Sequence, residues 1–128
     1  MTAASIHATP QAIADVIRLV QRSRLDLSSE KHLQEGVAEV LQAAGIVFER
    51  EKRLSPKDIP DFLIAGGLVV ECKMRNKSKK MDIFRQLARY ATYPEVTAII
   101  LASNVSMGLP PEIDGKPLFS ASLSHGWI

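Results

Sequence analysis

Three charged residues interrupt an otherwise apolar stretch in mid-chain: Asp61, Glu71 and Lys73, with nine residues between the two acids and one between Glu71 and Lys73. Strand interiors covered on both faces avoid charge, so something must offset these three. Two carboxylates facing each other across a strand pair repel unless a cation sits between them. Oxygen donors select a hard divalent ion, and Mg2+ takes one or two protein carboxylates while keeping waters for a substrate phosphate. Lys73, one side-chain repeat beyond Glu71, is then within reach of that phosphate or of the attacking water. The chemistry that fits is metal-assisted hydrolysis of a phosphodiester, with Mg2+ as the cofactor and Mn2+ as its substitute. The competing reading of the same residues is an edge-strand ion pair.

Cooperation between Asp61 and Glu71 depends on register, because a slip of one residue turns a side chain to the other face. Residues 61–73 read as a β-hairpin with Gly66-Gly67 at its tip. A two-residue turn sets Asp61 opposite Cys72 and away from Glu71. A three-residue loop, Ala65-Gly66-Gly67, pairs 61 with 71 and 63 with 69 and gathers Asp61, Glu71 and Lys73 on one face. Such a loop wants a left-handed residue at its end, which Gly67 supplies, and this is the expected register.

The surrounding elements follow from periodicity and punctuation. Pro10 opens a helix over 10–22 with Ile13, Val16, Ile17 and Val20 at helical spacing. A second helix starts after the capping cluster at 26–29, carries Leu33, Val37, Val40 and Leu41 on one side, and stops at Gly45. A strand runs from Ile46 toward Arg53, and Ser-Pro-Lys-Asp at 55–58 makes a turn. After the hairpin and a basic loop at 77–80, a helix spans Met81 to Tyr93 with Ile83, Leu87 and Tyr90 at helical spacing, and 96–101 form a buried strand. A short strand or turn around 118–123 closes the chain. The core order is helix, three strands, helix, strand, an α/β arrangement of helices flanking a sheet.

Pro60-Asp61, nine residues, then Glu71-Cys72-Lys73 resembles the PD-(D/E)xK nuclease superfamily, whose core has this same αβββαβ order. The resemblance covers roughly residues 30–102, and Gln86 and Tyr90 look like the QxxxY signature of its RecB-like and Cas4-like branch. It implies a restriction-endonuclease-like fold with a mixed central sheet. It also implies catalytic roles for Asp61, Glu71 and Lys73, with the metal held by Asp61, Glu71 and the backbone carbonyl of Cys72, and the water oriented or deprotonated by Lys73. Gln86 and Tyr90 would position the DNA. A glutamate from the first core helix often completes such metal shells. Glu30, Glu35 and Glu39 all lie there, and Glu35 is the choice by its spacing from Gly45, as in Holliday-junction-resolvase-like sequences. Glu51 is a further candidate.

Composition and charge set the frame. The chain has 128 residues, 46% of them hydrophobic and 23% charged, which is ordinary globular composition for one domain. Within it, 1–26 reads as an accessory N-terminal helix, 28–102 as the catalytic core and 103–128 as a C-terminal tail. A single cysteine rules out an intramolecular disulfide and fits a reducing compartment. No apolar run suits a signal peptide or a membrane span of roughly 18 residues, so the expectation is a cytoplasmic protein without membrane contact.

The formal charge of +2 is a remainder. Residues 50–89 hold eleven of the sixteen basic residues against five of the fourteen acids, net +6, leaving −4 elsewhere. That segment suits a phosphate-bearing partner, DNA, contacted by Arg75, Lys77, Lys79, Lys80, Arg85 and Arg89, with Arg50, Lys52 and Arg53 nearby. Basic side chains that hold a backbone do not read bases, so cutting directed by structure or by ends is expected. Small size without a recognition module points to a homodimer or a larger nucleoprotein complex, in repair, recombination or restriction of phage or mobile-element type. No organic cofactor is implied. The alternative of another class is an inactive nucleic-acid-binding or assembly module that keeps the fold. Cys72 reads as a small core side chain, the histidines at 7, 32 and 125 match no metal motif, and Trp127 reads as an anchor for the tail.

Overall fold

In a computed structural model, which describes residues 8–74 and 79–123, the chain folds as an α/β protein with three helices and a six-stranded mixed sheet. The elements are α1 (Pro10–Arg22), α2 (Glu30–Ala43), β1 (Phe48–Arg50), β2 (Phe62–Ile64), β3 (Leu68–Lys73), α3 (Lys80–Ala91), β4 (Ala98–Ser103), β5 (Glu112–Ile113) and β6 (Lys116–Ser122). The sheet order is β1-β2-β3-β4-β6-β5. Strands β1 to β3 form an antiparallel meander, β4 runs parallel to β3, β6 runs parallel to β4, and β5 folds back on the start of β6.

Local signals set the helices. Thr9 and Ser29 cap α1 and α2, their hydroxyl oxygens accepting from the N–H groups of Ala12 and His32, and Gly45 ends the second helix at φ +76°. Alternation in the strands then divides the core into two layers. Leu68, Val70 and Cys72 of β3, with Ile100 and Ala102 of β4, pack under α1 and α2. On the other face, Val69, Ile99, Leu101 and Leu118 pack under Ile83, Leu87 and Tyr90 of α3.

The hairpin has the three-residue loop. Leu63 pairs with Val69 and Ile64 with Leu68, and Gly66 and Gly67 take φ +96° and +91°. Gly67 also lies where a side chain would collide with Glu95 and Thr97, and its carbonyl accepts from the Thr97 N–H at 2.8 Å. This tip thereby fixes both the β2–β3 register and the start of the chain leading into β4.

Three expectations are corrected. The first strand covers only Phe48–Arg50, because Ile46 donates to the Leu41 carbonyl as part of the α2 exit and Glu51 turns to φ +50°. Residues 103–123 are more than a tail: the closing strand expected around 118–123 is β6, which inserts between β4 and β5 and buries Leu118, Ala121 and Leu123. Nor is α1 accessory, since Ile13, Val16 and Val20 are core residues and Gln21 accepts from the Ser122 N–H at the end of β6. Among the described residues no helix is long and apolar enough to cross a membrane.

Candidate functional site

The end of β3 and the residue preceding β2 lie side by side, because the register that pairs 63 with 69 extends to 61 and 71. Two hydrogen bonds close the pair reciprocally. The Cys72 N–H donates to Asp61 Oδ2 at 2.8 Å, and the Asp61 N–H donates to Glu71 Oε1 at 3.0 Å. Gln34 of α2 donates from Nε2 to Asp61 Oδ1 at 3.1 Å. On the other side, Lys73 Nζ stands 3.4 Å from Glu71 Oε2, and the Tyr90 hydroxyl donates to the same oxygen at 3.4 Å. Gln86 Nε2 donates to the Tyr90 oxygen at 2.9 Å, one helical turn back along α3. Each element therefore delivers one part: β2 and β3 the acids and the lysine, α2 an amide for Asp61, α3 a tyrosine for Glu71.

Burial dominates the electrostatics. The Glu71 side chain is 3% exposed and that of Lys73 13%. Desolvation, reinforced by the charge of Asp61 and opposed by Lys73, pushes the Glu71 carboxyl up to about 8. Desolvation also raises Asp61, to about 6, against the Cys72 N–H and Lys73, with Glu30 and Glu51 adding to the rise. Burial and the same two carboxylates push the Tyr90 phenol up, which keeps it a donor. The Cys72 thiol is likewise driven up by burial and sits in the core under α1 and α2, so it is no nucleophile.

These residues fit a hard divalent cation. Two hard oxygen donors are held together although both resist ionisation, and a positive charge at that place would relieve the penalty. Among the described residues no group of three or more His, Cys, Asp and Glu side chains is placed to hold an ion. Any ion held here would therefore take its protein side-chain donors from the Asp61–Glu71 pair, with water filling the remaining positions.

The structure redistributes the remaining candidates. Glu35 turns away and pairs with Arg50 at 3.2 Å on the surface. The helix glutamate near the pair is Glu30, whose Oε2 accepts from the Met74 N–H at 3.1 Å and whose charge acts on Asp61. The reason is that Glu30 and Gln34, four residues apart, share the α2 face turned to the ends of β2 and β3. Glu51 is a neighbour as well: its N–H donates to the Asp61 carbonyl at 2.9 Å. Arg89 is engaged by Asp58 Oδ1 at 2.8 Å and Arg85 by Asp82 at 3.3 Å. Lys79 and Lys80 are exposed at the start of α3, while Arg75 and Lys77 lie outside the described residues, as do His7, His125 and Trp127. Lys52 pairs with Glu49 at 3.6 Å, and Arg53 donates to the Pro56 carbonyl.

Sequence reasoning missed Gln34 and Asp58. The spacing of Gln34 from Glu30 carried a signal, whereas Asp58 looked like an ordinary turn residue until α3 packed over it. No family model, curated protein or solved structure matches the chain.

Proposed function

We propose that this protein is a metal-dependent nuclease that hydrolyses phosphodiester bonds in DNA, built on a restriction-endonuclease-like core. The observation that carries this reading is the reciprocal lock of Asp61 and Glu71 at adjoining strand ends, with Lys73 beside Glu71 on the same face. The order α2-β1-β2-β3-α3-β4, with the pair at the start of β2 and the end of β3, supports the same assignment.

Asp61 and Glu71 would hold the Mg2+, which when bound supplies Lewis-acid polarisation of the phosphoryl oxygen and an acidified water. Lys73, 3.4 Å from Glu71 Oε2, would orient or deprotonate the attacking water beside the phosphate. Tyr90, fixed by Gln86, donates to Glu71 Oε2 and so holds that carboxylate in place from the α3 side. The backbone N–H of Cys72 does the same for Asp61. Attack of water on phosphorus breaks the bond to one ester oxygen, leaving a phosphate monoester and a hydroxyl.

Plasmid nicking in Mg2+ or Mn2+ tests the proposal. Asp61→Ala and Lys73→Ala are expected to abolish cleavage while leaving DNA binding largely intact, and EDTA to stop the wild type. Retained cleavage by Asp61→Ala would sink the mechanism. Binding without nicking in either metal would make the chain an idle nucleic-acid-binding or assembly module. A panel of linear, flapped, branched and single-stranded DNA, with RNA alongside, assigns the substrate.

A further inference from the structure

The loop joining β1 to β2 contains a buried carboxylate that the catalytic reading leaves without a task. Asp58 is 3% exposed, yet it carries a full complement of partners. Arg89 Nε donates to its Oδ1 at 2.8 Å and the Tyr93 hydroxyl to its Oδ2 at 2.7 Å. Its backbone closes the turn begun at Ser55, with the Leu54 N–H donating to the Asp58 carbonyl at 3.0 Å. A buried charge persists only when it is paired and hydrogen-bonded, so this one pins whatever it belongs to.

What it belongs to is the segment that delivers Asp61. Only Ile59 and the buried, ring-constrained Pro60 separate the two acids, and the loop base is tied by the Glu51 N–H donating to the Asp61 carbonyl at 2.9 Å. The pinning groups come from α3 and the turn just past it. Arg89 and Tyr93 lie four apart, as do Gln86 and Tyr90, so α3 bears two adjoining stripes. One stripe grips Asp58 and the other reaches Glu71.

We propose that Asp58, through Arg89 and Tyr93, is the positioning residue of the site: it fastens the 51–61 loop to α3, and the helix that holds Glu71 thereby also sets where Asp61 stands. The proposal rests on the nuclease reading for its kinetic consequence and on geometry alone for its structural one. It also gives Arg89 a task different from the DNA contact expected of it.

Arg89→Ala, Asp58→Asn and Tyr93→Phe test it in Mg2+-dependent nicking and in amide hydrogen exchange. Arg89 is half exposed, so its truncation is the variant expected to fold. Arg89→Ala should lower kcat about 10- to 100-fold while KM for DNA moves less than about twofold. The amides of Cys72 and Glu51, which donate to Asp61, should exchange faster while the β4 amides stay protected. Asp58→Asn should show the same split, and Tyr93→Phe a smaller one. A KM increase at unchanged kcat makes Arg89 a DNA contact and overturns the proposal. Equal acceleration across β3 and β4 reduces it to a stability effect and overturns it too. If the wild type does not nick DNA, the nuclease reading falls alone. Exchange then decides: selective loss of protection at Cys72 and Glu51 upholds the clamp, and unchanged protection there defeats it.

Discussion

Among the described residues, Glu71 meets the cation Lys73 and the carboxylate of Asp61 in a place almost closed to water. Because both carboxyls titrate higher in the folded chain than in the unfolded one, the folded state binds the extra protons between the ordinary carboxylate range and the raised values. Stability from that uptake is complete below the ordinary range and is lost as pH rises through about 6 for Asp61 and about 8 for Glu71. In metal-free buffer the thermal midpoint should therefore fall from about pH 5 to about pH 9. Glu71→Gln should flatten that slope, and added Mg2+ should raise the midpoint most at the alkaline end. A midpoint that climbs with pH in EDTA contradicts this account. Asp58 works in the opposite sense: Arg89 holds its carboxyl low, so its contribution is present above the ordinary range and fades on acidification. If the chain cleaves DNA as proposed, Glu30→Gln should reduce metal-dependent cleavage by about tenfold or more, a larger loss than Glu35→Gln, because of these helix glutamates Glu30 acts on Asp61 while Glu35 pairs with Arg50.

At the scale of elements, the hairpin and α3 share the work of placing the pair. Gly67 sets the register, and a Cβ there would stand 2.4 Å from the Glu95 carbonyl oxygen at a φ of +91°. Gly67→Ala should cost about 2 to 4 kcal/mol in denaturant unfolding, since backbone strain and a backbone clash add together. Gly45→Ala offers the comparison. Its φ is also positive but nothing lies within 4 Å, so about 1 kcal/mol is expected. Equal losses at the two glycines would show that the close approach to Glu95 is unimportant. On α3, Tyr90→Phe removes the acceptor of Gln86 and a donor to Glu71 together. It should destabilise by about 1 to 3 kcal/mol and, if the chain is the nuclease proposed, lower kcat in a way that Gln86→Ala only partly reproduces.

At the scale of the whole molecule, the sheet is covered on both faces, and each cover also supports the site. Cores of this size leave little to spare, so the N-terminal helix counts: α1 buries Ile13, Val16 and Val20 and tethers β6 through Gln21. Removing residues 1–22 should abolish a cooperative thermal transition, whereas a dispensable helix would leave the transition in place. The basic surplus of residues 50–89 has a separate signature. If Lys80 contacts a phosphate, Lys80→Ala should make the salt dependence of DNA affinity shallower by about one unit, while binding weakens evenly across sequences.

The sequence determined by itself whatever depends on neighbours along the chain. Helix faces follow from the spacing of Ile13, Val16 and Val20 or of Leu33, Val37 and Leu41. Gly66 and Gly67 narrowed the hairpin to two registers, of which the three-residue loop lets Asp61 meet Glu71, because loop length and the alternation of strands fix which side chains share a face; the pairing of Leu63 with Val69 settled the choice. Tertiary structure alone decided the rest, since those relations join residues far apart. Glu30 rather than Glu35 came to neighbour Asp61 through the rotation of α2 against the sheet, an angle that three similarly placed glutamates cannot specify. Lys116–Ser122 joined the sheet because β4 offered a parallel edge, although Pro117 near its start and the small residues Ser120 to Ser122 at its end make the strand signal of Leu118 and Phe119 weak. Asp58 became a buried anchor, and Arg89 its partner, only when α3 packed over the loop and removed a charge from water.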